Sequence, residues 1–186
     1  MGSRGFTLVE LLVVLSVGAI LLAIALPGYA FLINTNRLAV VTNDLVSAIQ
    51  LARSEAVKRG MRVTVCKTGN AMALAPACDT AVSWQQGWLV FVDGGTKGVI
   101  DTGDLLLRAQ GSVPAAVAIT SNNYSSHISY LPSGVSQGSN GLPNGTLRVC
   151  CGQSTRHHHQ FHRPSADRVQ YLLIGGADSS WPRFRR

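Results

Sequence analysis

Several groups of residues in this chain have types and spacings that can do chemistry. Glu10 stands at the head of an almost uninterrupted apolar run from Leu11 to Ile33 that holds no Lys, Arg or Asp. A carboxylate beside such a run costs a few kcal/mol in lipid and calls for a partner, so its chemistry would be ion pairing. His157, His158, His159 and His162 follow Cys150 and Cys151, and imidazole and thiolate are donors for zinc or copper. Asp93, Asp101 and Asp104 flank Gly94, Gly95, Gly98 and Gly103, which offers the oxygen ligands that calcium takes. At the carboxyl end, Trp181-Pro182-Arg183-Phe184-Arg185-Arg186 reads as an extended tail. Its arginines, Arg183, Arg185 and Arg186, suit phosphate oxygens, and Trp181 and Phe184 suit stacking on exposed bases.

Each group has a plainer reading. A histidine-rich tract is a compositional signal, and a polar, partly protonatable loop is its default, so no metal is expected there. The aspartate spacing is not that of a helix-loop-helix calcium site, and turn formation explains it better. A short basic cluster can be a solvated tail without a partner. The sequence contains no Gly-x-Ser-x-Gly elbow, phosphate-binding glycine loop, His-Glu-x-x-His or Cys-x-x-Cys. Neither an enzyme nor a cofactor is therefore expected. The alternative that retains chemistry is a single-pass membrane protein with a metal-binding or enzymatic outer domain.

The elements that would position these residues follow from periodicity. The apolar run is long enough to cross a bilayer core of about 30 Å as a helix, because roughly 20 apolar residues suffice. Only Arg4 precedes it and no Ala-x-Ala-like site follows it cleanly, so it does not read as a cleaved secretory signal. Pro27-Gly28 predicts a kink or melted turn inside the helix. Beyond Ile33, Leu38, Val41, Leu45, Ile49, Ala52 and Ala56 recur at helical spacing and give one face, with Gly60 as the stop. Arg62–Cys66 alternates as a half-buried strand, a loop runs from Lys67 to Gln86, and Gly87–Val92 is a strongly apolar strand. Leu105–Ala109, Val117–Ser121, His127–Leu131, Thr146–Cys150 and Val169–Ile174 are further strands. Trp84, Trp88 and Phe91 read as core. A helix followed by many short strands predicts an α+β fold with an antiparallel sheet.

With 186 residues the chain suits one modest domain behind the anchor. The net charge of +7 is concentrated late: seven arginines lie between Arg148 and Arg186 against only Asp167 and Asp178. Such an end favours acidic partners. Four cysteines fit an oxidising compartment and allow three pairings. A Cys66–Cys78 bridge is expected, closing the loop that begins at the end of the first strand, while the adjacent Cys150 and Cys151 do not readily bridge each other.

Gly5-Phe6-Thr7-Leu8-Val9-Glu10 resembles the processing signal of type IV pilins and type II secretion pseudopilins. The resemblance implies that a prepilin peptidase cuts after Gly5 and methylates Phe6, and that Glu10 pairs with the amino terminus of a neighbouring subunit. Ala52–Gly60 leading into Val63–Cys66, and Trp84–Asp93, look like the FimT/GspH branch of minor pilins and pseudopilins. The implied organisation is a leader at 1–5, a transmembrane and filament-core helix at 6–33, its amphipathic continuation at 34–60 and a periplasmic β-rich domain at 61–186. The implied partners are the prepilin peptidase, other pilin or pseudopilin subunits and the bacterial inner membrane. Some FimT-like pilins carry a Gly-Arg-x-Arg element implicated in DNA uptake; Arg183-Phe184-Arg185 resembles its Arg-x-Arg part, with Pro182 where the glycine would be. The expected role is a non-catalytic minor pilin that binds DNA, or alternatively a type II secretion pseudopilin.

Overall fold

The computed structural model describes residues 7–151, 169–175 and 183–185, without the side chains of residues 25–28, 30, 31, 151, 169, 175 and 183–185. Two units divide the chain, Met1–Asn36 and Arg37–Arg186. The helix α1, Leu8–Arg59, contributes residues to both. In the first unit its large apolar side chains are exposed, with Leu8 at 78%, Leu15 at 65% and Ile24 at 70%. The backbone stays helical through Pro27 and Gly28, so the melted turn expected there does not form. Proline removes one hydrogen bond, and the neighbouring turns hold the helical path across that gap. Among the described residues no helix is long and apolar enough to cross a membrane.

In the second unit α1 buries Leu38, Val41, Leu45, Ala48, Ile49, Ala52 and Ala56, the helical face that the spacing predicts. Thr42 is also buried on α1, and its hydroxyl donates to the carbonyl of Leu38 at 2.8 Å. The helix stops at Gly60, whose φ of 64° is left-handed and favours glycine.

Among the described residues nine strands follow: β1 (Val63–Lys67), β2 (Trp88–Val92), β3 (Leu105–Gln110), β4 (Val117–Ser121), β5 (His127–Tyr130), β6 (Ser136–Gly138), β7 (Asn144–Cys151), β8 (Val169–Gly175) and β9 (Arg183–Arg185). They form two antiparallel sheets, one ordered β3-β2-β1-β5-β6 and the other β4-β7-β8-β9. Two of these strands, β6 and β9, lie where the sequence predicts none.

Every residue of β1 and β2 is buried, so the half-buried reading of β1 is corrected. One face of this pair, Val63, Val65, Trp88 and Val90, packs with α1 in the main core, which Trp84 also joins. The other face carries Cys66, Leu89 and Phe91, covered by Ala71 and by Cys78, Ile100 and Ala109. The long loop after β1 supplies much of that cover. A disulfide joins Cys66 to Cys78, the amide of Asp79 donates to the carbonyl of Lys67 at 2.9 Å, and the Thr68 hydroxyl donates to the carbonyl of Ala77 at 2.7 Å.

The segment between β4 and β5 is pinned through Tyr124. Trp84 Nε1 and Ser121 Oγ both donate to its carbonyl, at 2.9 and 2.8 Å, and its own hydroxyl donates to the carbonyl of Ile174 in β8 at 3.0 Å. Gly145 in β7 must lack a side chain here, because a Cβ would lie 2.5 Å from the Tyr124 ring.

Candidate functional site

The amino-terminal motif enters the structure at Thr7; Gly5 and Phe6 lie outside the described residues. Thr7 precedes α1, and its Oγ1 accepts the amide N–H of Glu10 at 3.2 Å, while its carbonyl accepts that of Leu11. Thr7-Leu8-Val9-Glu10 thus forms the spacing of a capping box, a threonine cap with a glutamate three residues on. The motif presents Glu10 as a carboxylate in need of a partner and gives no separate sign that its backbone N–H helps to start the helix. The Glu10 side chain is exposed among Leu8, Val9, Leu11 and Leu12, and makes no ion pair among the described residues. It stands in the first turn, where the helix dipole favours a negative charge.

The aspartates are not one group. Asp93 is 2% exposed at the end of β2, and its carboxylate accepts from Arg62 Nη2 at 2.6 Å, from Thr64 Oγ1 at 2.6 Å and from the amide of Gly98 at 2.9 Å. Thr64 Oγ1 also lies 2.8 Å from Ser129 Oγ on β5. Asp101 and Asp104 accept amide N–H groups within the same loop, from Thr96 on one hand and from Gly94 and Asp101 on the other. Asp101 and Asp104 therefore organise turns, whereas Asp93 anchors a buried charge network that local spacing does not reveal. His127 adjoins this network. Its ring leaves no room for a Cβ on Gly98, which would lie 2.5 Å from Nδ1. Burial first, then the Lys97 cation, holds the His127 imidazole below its ordinary pKa.

Among the described residues no cluster of three histidine, cysteine or acidic side chains could hold a metal. His157, His158, His159 and His162 lie outside the described residues, as do Trp181 and Arg186. Cys150 on β7 is a free thiol, with its Sγ 3.7 Å from the carbonyl of Ala118.

Arg183, Phe184 and Arg185 are not a free tail; they form β9 and pair with β8. Arg185 lies opposite Tyr171, Phe184 opposite Leu172 and Arg183 opposite Leu173. The Tyr171 row also contains Arg148 of β7, whose guanidinium carbon is 5.6 Å from the Tyr171 ring centroid. The Arg148–Tyr171 pair has no signal in the sequence, because the two residues meet only through the β7–β8 register.

A motif-capped apolar helix joined to a disulfide-closed antiparallel β domain defines a pilin-like structural subunit. Residues 41–161 match the family of type II transport protein GspH, and residues 1–26 match the prokaryotic N-terminal methylation motif. The chain belongs to the GspH family, and its role is that of a minor pilin or pseudopilin. Two crystal forms of the Pseudomonas aeruginosa type IV minor pilin FimU are similar in structure. One is 19% identical with a TM-score of 0.49, covering 75% of this chain and 83% of FimU. The other is 18% identical with a TM-score of 0.44, covering 72% and 82%. No curated protein matches the chain in sequence.

Proposed function

We propose that the chain is a non-catalytic minor pilin of a type IV pilus. A prepilin peptidase cuts between Gly5 and Phe6, Phe6 is N-methylated, and the apolar helix first holds the subunit in the bacterial inner membrane with its β domain in the periplasm. The observation that carries this reading is the exposed Glu10 carboxylate on an otherwise apolar, exposed helical surface. Such a group is best explained by a cation on a neighbouring subunit, and a methylated amino terminus supplies one. Buried pairing of this kind sets register even where it adds little net stability. Glu10→Ala then leaves a processed, folded, membrane-bound subunit that enters filaments poorly. Normal incorporation of that variant, read by immunoblot of sheared filaments, contradicts the pairing.

Arg183 and Arg185 are the proposed DNA contacts, with Trp181 and Arg186 beside them. Their support is the late concentration of arginine, and the test is DNA binding that falls steeply with salt, as counterion release requires. Changing Arg183 and Arg185 to Gln weakens that binding and flattens its salt dependence; unchanged binding removes these residues from the site. A second reading, a pseudopilin of type II secretion, is favoured by the family match to a type II transport protein. Deletion separates the two: loss of pili and DNA uptake supports the first, and loss of protein secretion with pili intact supports the second.

A further inference from the structure

The face of the second sheet turned away from its core carries a charge pattern larger than the terminal strand. Leu147 and Val149 of β7 and Leu172 and Ile174 of β8 are buried. With a side-chain period of two, Thr146, Arg148, Tyr171 and Leu173 make up the opposite face. Pairing aligns Thr120, Arg148, Tyr171 and position 185 in one cross-strand row, and Thr146, Leu173 and position 183 in another. Position 184 pairs with Leu172 in the row of the buried Leu147, apart from the arginine rows. No Asp or Glu occurs in any of the four strands. Among the described residues Arg148 has no ion-pair partner, its Nε is buried without a hydrogen bond, and its visible companion is the Tyr171 ring.

An arginine set on an aromatic face and free of carboxylates is pre-organised for an anion, because ring packing orients the guanidinium without neutralising it. Adjacent strands are about 4.8 Å apart and alternate residues of one strand about 7 Å apart. Positions 148, 183 and 185 therefore form an array several ångströms on a side, suited to a polymer with regularly repeated charges rather than to one small anion.

We propose that this face, whose four strands carry no Asp or Glu, is the surface on which the DNA backbone lies, with Arg148 a phosphate-binding residue oriented by Tyr171. The inference rests on the DNA reading of Arg183 and Arg185 and extends it to the centre of the sheet. The experiment measures fluorescence anisotropy of a labelled duplex of arbitrary sequence against the full chain in non-ionic detergent, over a series of salt concentrations. Arg148→Gln is expected to bind about tenfold more weakly, with a logarithmic salt slope reduced by about one, as loss of a single phosphate contact requires. Arg148→Lys, which keeps the charge, retains the slope and guards against a folding defect in the first variant. Thermal melting of both variants is compared with the parent. If Arg148→Gln binds like the parent while Arg183→Gln/Arg185→Gln binds weakly, the inference is overturned and the DNA reading stands. If the parent itself does not bind duplex, or binds only vesicles containing anionic lipid, both are overturned.

Discussion

Removing the Cys66–Cys78 bridge is expected to loosen one side of the first sheet while leaving the α1-facing core in place. The bridge closes a loop with a sequence separation of 12. In the chain-entropy treatment a loop of this length restricts the unfolded chain by about 3 kcal/mol at 25 °C. The folded state adds a local term, because the loop covers Cys66, Leu89 and Phe91, and an untethered loop leaves that smaller cluster open more often. The double variant Cys66→Ala/Cys78→Ala avoids burying a polar group at the fully buried position 66. Its unfolding midpoint should fall by roughly 6–12 °C, from a shift of about 2–4 °C per kcal/mol for a domain of this size. Thermal melts followed by circular dichroism give the magnitude, and amide hydrogen exchange gives the location. Exchange should quicken first at Asp79 and Thr68, whose amides bond to Lys67 and Gly87, before it quickens at β5. An unchanged midpoint, or uniform loss of protection across β1 and β5 together, would refute the argument that the loop is a separate cover.

Two further outcomes follow from the charge network. Asp93→Asn keeps the shape but turns an NH2 group toward one of the donors of Arg62, Thr64 or Gly98, and should cost about 2 kcal/mol, below the range for a fully buried pair because Arg62 is 26% exposed; urea titration checks it, and a loss under 0.5 kcal/mol would contradict the network. For His127, the folded-state pKa is lowered, chiefly by burial and then by Lys97, with Arg62 opposing and Asp93 favouring the charged form. The unfolded chain therefore binds the proton more readily, so the contribution is present above the ordinary imidazole pKa of about 6.5 and is lost as pH falls from there through the folded value. His127→Gln should flatten this part of the stability profile, and an identical slope in parent and variant would count against it.

Local pattern carried the helix face well, since Leu38 through Ala56 needed only a period of three to four to be placed on the core. It carried the position of β2 for a different reason, since continuous apolar residues are bounded there by turn chemistry. It failed at β1, where the alternation of Val63 and Val65 with Thr64 reads as one wet face. Thr64 is in fact buried, and burial is tolerable only because Asp93 and Ser129 meet its hydroxyl, partners 29 and 65 residues away. Such contacts have no local signature. Ser136–Gly138 and Arg183–Arg185 give no strand signal, because short, mostly polar or charged segments are held there by pairing with β5 and β8. Charged edge strands are also a common defence against unwanted pairing, so a basic strand reads as a tail. The amino-terminal motif was legible because its meaning lies in a short run at a fixed place, whereas the Arg148–Tyr171 pair depends on register.

The intact mass of the mature amino-terminal peptide, isolated from filaments or inner membranes, decides whether the motif is processed as proposed. A filament subunit of this family processed at the motif yields a peptide beginning at Phe6 and carrying one methyl group on its amino nitrogen, the cation proposed to meet Glu10 of a neighbour. A peptide beginning at Met1, or after Ala30, would contradict both the processing and the pairing.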